Sequence, residues 1–149
     1  MTIRKMEPTD FDKILDMMLV FYASDALLVH PEESVLRKTL ADAIEAGPYV
    51  EGFVFCQEEE PVGYGMIAKS YSTEMGGHCV WIEDIYIQPE FRGQGIGKAF
   101  FGWLEQNHPE AARFRLEIEP DNHKAEALYR KMGFDFLDYR QMVAEKGCK

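Results

Sequence analysis

The sequence predicts an α/β (α+β) fold in a single domain, a mixed and mostly antiparallel central sheet flanked by helices. Three observations carry this. The apolar pattern switches repeatedly between helical and strand spacing along the chain. Two strand-like runs, 49–57 and 62–71, are joined by a short polar connection and read as an antiparallel hairpin. A length of 149 residues, 46% hydrophobic and without linker, repeat or low-complexity tract, suits one packed core over residues 1–149.

The elements follow in order. Thr2–Met6 alternates polar and apolar residues as a short strand does. Pro8-Thr9-Asp10 supplies a helix start with Thr9 as N-cap, and Phe11, Ile14, Leu15, Met18, Phe21 and Tyr22 give a helical stripe over 10–23. Val35, Leu36, Leu40, Ala43 and Ile44 form a second stripe, stopped by Gly47-Pro48. After the hairpin, whose connection Glu58-Glu59-Glu60-Pro61 is an acidic solvated turn, Cys79–Ile87 reads as a third central strand. Helical spacing returns at Ile96, Ala99, Phe100, Trp103 and Leu104. Phe114–Ile118 reads as a strand, Lys124–Met132 as a compact helix closed by Gly133, and Phe134–Met142 as a last strand. The expected order is βααβββαβαβ.

Lys plus Arg number 16 against 26 for Asp plus Glu, a net charge of −10. Nucleic acid and anionic membranes both need a cationic surface, so neither is an expected partner. The field favours a cationic partner instead. Cys56, Cys79 and Cys148 are an odd number without CxxC spacing, so reduced thiols are expected rather than disulfides or a zinc knuckle. His30, His78, His108 and His123 share no metal-ligand spacing, and no metal is expected. Met1–Glu7 is short and charged, unlike a signal peptide, and no apolar run reaches membrane-spanning length, so the expected location is the cytoplasm.

The sharpest local feature is Arg92-Gly93-Gln94-Gly95-Ile96-Gly97-Lys98, between a strand and a helix. Alternate glycines let the backbone turn tightly and let a ligand approach its N–H groups. Those N–H groups start a helix, where unpaired donors and the dipole favour an anion. Arg92 and Lys98 add local positive charge. A P-loop would need Gly at 92 and Ser or Thr at 99, where Arg and Ala stand. A dinucleotide fingerprint would need Gly at 98 or 100, where Lys and Phe stand.

Arg92-x-x-Gly95-x-Gly97 resembles the Arg/Gln-x-x-Gly-x-Gly/Ala signature of the GNAT superfamily of N-acetyltransferases. The preceding Ile85-Tyr86-Ile87-Gln88-Pro89-Glu90 fits, as do Glu119-Pro120-Asp121-Asn122, then Ala125, Leu128, Tyr129 and Gly133-Phe134. The element order matches that superfamily over essentially the whole chain. The resemblance implies acetyl-CoA as co-substrate, with splayed fourth and fifth strands forming the cleft. It implies that residues Arg92, Gly93, Gln94, Gly95, Ile96, Gly97 and Lys98 hold the pyrophosphate. The pantetheine arm is expected beside Ile85, Tyr86 and Ile87, with Asn122 contacting it.

Aminolysis of a thioester needs a neutral amine and benefits from a donor to the departing thiolate. The resemblance makes Tyr129 the general acid. Glu83 and Asp84 are adjacent on a strand and point to opposite faces unless a bulge intervenes. Glu83 is in register with the carboxylate that the polyamine-acetyltransferase branch uses through water, and it is the expected base, with Asp84 or water as alternatives. Tyr22, Asp25 and the residues near His30 lie where this fold shapes its acceptor pocket. The expectation is direct acetyl transfer, in a ternary complex, to the primary amine of a small molecule, with a cationic acceptor favoured and a homodimer as the assembly. The alternatives are a non-catalytic acyl-CoA-binding sensor and a protein N-terminal or lysine acetyltransferase.

Overall fold

The computed structural model describes residues 1–147, so Cys148 and Lys149 lie outside the described residues. Its elements are β1 (Thr2–Lys5), α1 (Phe11–Tyr22), α2 (Glu33–Glu45), β2 (Val50–Gln57), β3 (Glu60–Ser72), β4 (Gly77–Ile87), α3 (Ile96–Asn107), β5 (Ala111–Leu116) and α4 (His123–Lys131). One sheet holds all five strands in chain order, antiparallel from β1 to β4 and parallel between β4 and β5. The parallel step is the one bridged by a helix, α3, as a crossover requires.

Each face of the sheet carries its own core. On one face Val54, Cys56, Tyr64, Met66 and Tyr86 pack against Ile14, Leu15 and Met18 of α1 and Leu36 and Leu40 of α2. On the other, Phe53, Phe55, Ile67, Val80 and Ile82 meet Ile96, Phe100 and Leu104 of α3. β2 therefore buries alternate residues in opposite directions, which is why Phe53–Cys56 is an unbroken buried run rather than an alternating one. Gly65 lets α3 approach: a Cβ there would stand 2.5 Å from the Phe100 ring.

Several local details differ from expectation. Asp10, not Thr9, organises the start of α1. It accepts from the Glu7 amide at 2.8 Å and pairs with Arg4 at 2.8 and 2.9 Å, and the Arg4 contacts hold its carboxyl below the usual range. α2 ends on Ala46, which takes the left-handed conformation (φ 56°) one residue before Gly47. The hairpin turn is Glu58-Glu59 alone, at φ 50° and 69°, while Glu60 and Pro61 already belong to β3.

The expected last strand, Phe134–Met142, does not form. The segment runs beside β5 without a ladder; the Phe134 amide donates to the Tyr129 carbonyl (3.0 Å), and further along side chains make the links, Tyr139 Oη donating to Glu74 (2.7 Å) and Gln141 Nε2 to Glu117 (2.9 Å). Arg130 draws its start toward α4, pairing with Asp135 at 3.2 Å and lying 5.1 Å from the Phe136 ring centre. Phe136 and Leu137 are adjacent, which breaks strand alternation, and both are about half exposed because no further layer covers them.

Candidate functional site

The site begins with one extra residue in β4. Met66 pairs with Asp84 and Ile67 with Ile82, so Glu83 has no partner in β3 and forms a bulge. The pleat changes phase there. Ile82 packs on the α3 face, yet Asp84, two residues on, reaches the α1 face. The alternation that would send Glu83 and Asp84 to opposite faces is thereby broken. The β4–β5 ladder also ends here, at Ile82↔Leu116, while β4 runs on to Ile87. The expected splay of the fourth and fifth strands is present, and the β4 edge beyond Ile82 faces a cleft of about 660 Å3 without a strand partner.

Twelve of the thirteen site residues expected from sequence line this cleft: Glu83, Ile85, Tyr86, Ile87, Arg92, Gly93, Gly95, Ile96, Gly97, Lys98, Asn122 and Tyr129. Gln94 does not. Its side chain turns away to accept a hydrogen bond from Gln57 Nε2 at 2.9 Å.

At one end the loop after β4 behaves as its glycines suggest. Gly93 and Gly95 hold φ of 77° and 81°, and nothing lies within 4 Å of a Cβ built at either. The first α3 bond runs from the Ala99 amide to the Gly95 carbonyl (3.0 Å), so the N–H groups of Ile96, Gly97 and Lys98 precede it and are available to an anion. Arg92 braces the loop: its Nε donates to the Ile87 carbonyl at 2.7 Å and its guanidinium lies 5.6 Å from the Tyr86 ring centre.

On the opposite wall Asn122 caps α4, Oδ1 accepting from the Ala125 amide at 3.2 Å. The Tyr129 ring meets Phe134 edge-on at 5.9 Å, and burial pushes its hydroxyl up, so it is protonated at neutral pH. Glu83 keeps its tip in water, but the surrounding protein raises its pKa, helped by the Asp84 and Glu117 charges. A carboxylate shifted that way is a better proton acceptor near neutrality.

Asp84 occupies a different environment. It is 3% exposed, with Tyr22 Oη donating to Oδ1 at 2.6 Å and Tyr64 Oη to Oδ2 at 2.9 Å. Both oxygens are therefore engaged behind the cleft wall. Of the residues expected on the acceptor side, Tyr22 and Asp25 do not line the cleft, and toward His30 it is Ala26 and Leu27 that do, together with Phe21 and Ser24. The helix phase of α1 sends Tyr22 to Asp84 and Phe21 to the opening.

A split sheet edge, closed at one end by a helix start whose amides are free for an anion, leaves an elongated cleft beside the central strand. The chain belongs to the Acetyltransferase (GNAT) family, whose sequence model matches residues 15–134. It is 39% identical over 74 residues to the pig (Sus scrofa) thialysine N-epsilon-acetyltransferase, covering 48% of this chain and 43% of that protein. The corresponding protein of Caenorhabditis elegans is 32% identical over 100 residues, 66% of this chain and 59% of that one. The alignments thus span about half the length of these relatives. The crystal structure of "a possible acetyltransferase from Clostridium difficile 630" superposes with a TM-score of 0.83 at 22% identity, covering 97% of this chain and 96% of that one.

Proposed function

We propose that this protein is an acetyl-CoA-dependent N-acetyltransferase acting on the primary amine of a small molecule, by direct transfer in a ternary complex. The observation that carries the reading is that Glu83, Tyr129 and the anion-accepting loop all line one cleft.

The open glycine loop and its unpaired amides fit a pyrophosphate, and the unpartnered β4 edge fits the amides of a pantetheine arm, so the residues present suit acetyl-CoA. When bound, that molecule supplies an activated acetyl thioester. The amides of Ile96, Gly97 and Lys98, with the charges of Arg92 and Lys98, hold the phosphates. The main chain of Ile85–Ile87 aligns the arm, and Asn122 borders it from α4. Glu83, through water, takes a proton from the acceptor ammonium to give the neutral amine. The amine nitrogen bonds to the acetyl carbon, and the carbon–sulfur bond breaks as Tyr129 donates its proton so that sulfur leaves as a thiol. The surplus proton on nitrogen passes through water to the tyrosinate, leaving the neutral amide. Holding amine and thioester together is itself worth several kcal/mol. The thialysine acetyltransferase relatives and the net charge of −10 both support a cationic small amine as acceptor.

The test is a thiol-release screen of the purified chain with acetyl-CoA and polyamines, amino acids, aminoglycosides and basic peptides, alongside thermal shift. Turnover of a small amine is expected. A thermal shift without turnover of any class makes the domain a binding module instead, and turnover of peptides alone makes proteins its acceptors.

A further inference from the structure

Glu83 does not owe its direction to the strand ladder. A residue that opposes no partner in β3 is released from the pleat, so its side chain is aimed only as firmly as its neighbours are fixed. The neighbour on its C-terminal side is Asp84, and Asp84 is held from two other elements. Tyr22, in the last turn of α1, donates to one of its carboxylate oxygens, and Tyr64, in β3, donates to the other. Aromatic rings brace both hydroxyls. Phe21 meets Tyr22 edge-on at 5.1 Å and Tyr64 edge-on at 6.4 Å, and Tyr86 lies 6.1 Å from Tyr64 and from Phe21.

A buried carboxyl held by two hydroxyls, with no cation among its described partners, is a costly way to join a helix to a strand. The acetyl transfer set out above gives it no proton to carry, because both oxygens are engaged behind the cleft wall. What the arrangement does is mechanical. Two donors on two oxygens leave the Asp84 side chain a single orientation, which fixes the peptide joining it to Glu83 and keeps the Glu83 carboxylate in the cleft.

Resting on the acetyltransferase reading above, we propose that Asp84 is a positioning residue for the proton transfer: clamped by Tyr22 and Tyr64, it holds the bulge so that Glu83 meets the acceptor ammonium. Asp84 touches neither acetyl-CoA nor amine and acts through Glu83.

The test is a double-mutant cycle in kcat, measured with acetyl-CoA and whichever of spermine, L-lysine and neamine the parent acetylates fastest. Tyr22→Phe and Tyr64→Phe each delete one hydroxyl and keep the ring, and Asp84→Asn leaves one carbonyl acceptor for two donors. Each is expected to lower kcat about tenfold, within the cost of a misplaced base, while the acetyl-CoA KM and the acetyl-CoA thermal shift stay as in the parent. In a Glu83→Gln background no base is left to misplace, so the same substitutions lower kcat at most about twofold. A contact that serves the fold alone gives the same factor in both backgrounds. That result, or an undiminished kcat in the two phenylalanine variants, overturns the positioning role and leaves the acetyltransferase reading standing. A Glu83→Gln variant as fast as the parent overturns Glu83 as base, and acetylation of none of the three amines overturns the small-amine reading; either takes this proposal with it.

Discussion

Tyr22 Oη donates to Asp84 Oδ1 at 2.6 Å, tying the last turn of α1 to the strand residue beside Glu83. Tyr64 holds the other carboxylate oxygen at 2.9 Å. The link places the α1 end, whose Phe21 borders the cleft, against the bulge that opens it. Burial raises the Asp84 pKa above its ordinary 3.8, and the two tyrosine hydroxyls only partly oppose that. The folded carboxyl therefore binds its proton more tightly than the unfolded one. Its contribution to stability is complete below pH 3.8 and is lost as pH rises through the folded value. Asp84→Asn removes that loss, so its melting temperature gains on the parent's as the pH rises above 3.8. Parallel melting curves across that window contradict the assignment. Tyr22→Phe, which leaves a buried acceptor with one donor fewer, costs about 1–3 kcal/mol in denaturant unfolding.

Glu83→Gln tests the proposed base. The raised pKa of Glu83 places the acid limb of the kcat/KM profile above pH 4.5, the ordinary glutamate value. Glutamine cannot take a proton, so the variant loses that limb and falls on the order of a hundredfold at neutral pH. A variant that keeps the same limb assigns the titration to another group.

Tyr129→Phe separates acid catalysis from packing. Phenylalanine retains the edge-on contact with Phe134 and deletes only the hydroxyl. With Tyr129 as proton donor, kcat falls about ten- to a hundredfold while the acetyl-CoA KM moves little. A matched rise in KM with unchanged kcat shows instead that the hydroxyl serves binding.

The parts of the site that were legible in the sequence are those fixed by local backbone chemistry. Gly93 and Gly95 announce a tight turn open to a ligand, and their place between a strand and a helix puts that turn at the cleft. The bulge at Glu83 left no such mark, because it depends on the register of Met66 and Ile67 across β3. The same is true of the Asp84 link, whose partners lie 62 and 20 residues away. Phe134–Met142 was misread because strand-forming composition there meets no covering layer, and Arg130 offers the chain another anchor. Gln94 shows the same limit in miniature: the loop position was right, while its side chain followed Gln57, 37 residues distant.

Gly95 allows conformational strain and ligand repulsion to be measured apart. Its φ of 81° disfavours any L-residue, so Gly95→Ala lowers stability by roughly 1 kcal/mol. Its Cβ meets nothing within 4 Å, so the methyl adds strain without a clash. Gly95→Glu carries the same strain and adds a negative charge where the proposed pyrophosphate sits. The parent at acetyl-CoA a hundredfold above Kd gains about 2.7 kcal/mol of stability. In Gly95→Ala most of that increment persists on a lowered baseline; in Gly95→Glu it disappears. Gly97→Ala completes the series, since its Cβ would stand in ordinary contact with Leu128 at 3.7 Å on helical backbone. It is expected to hold or raise the melting temperature without ligand. An undiminished acetyl-CoA shift in Gly95→Glu moves the phosphates away from this loop.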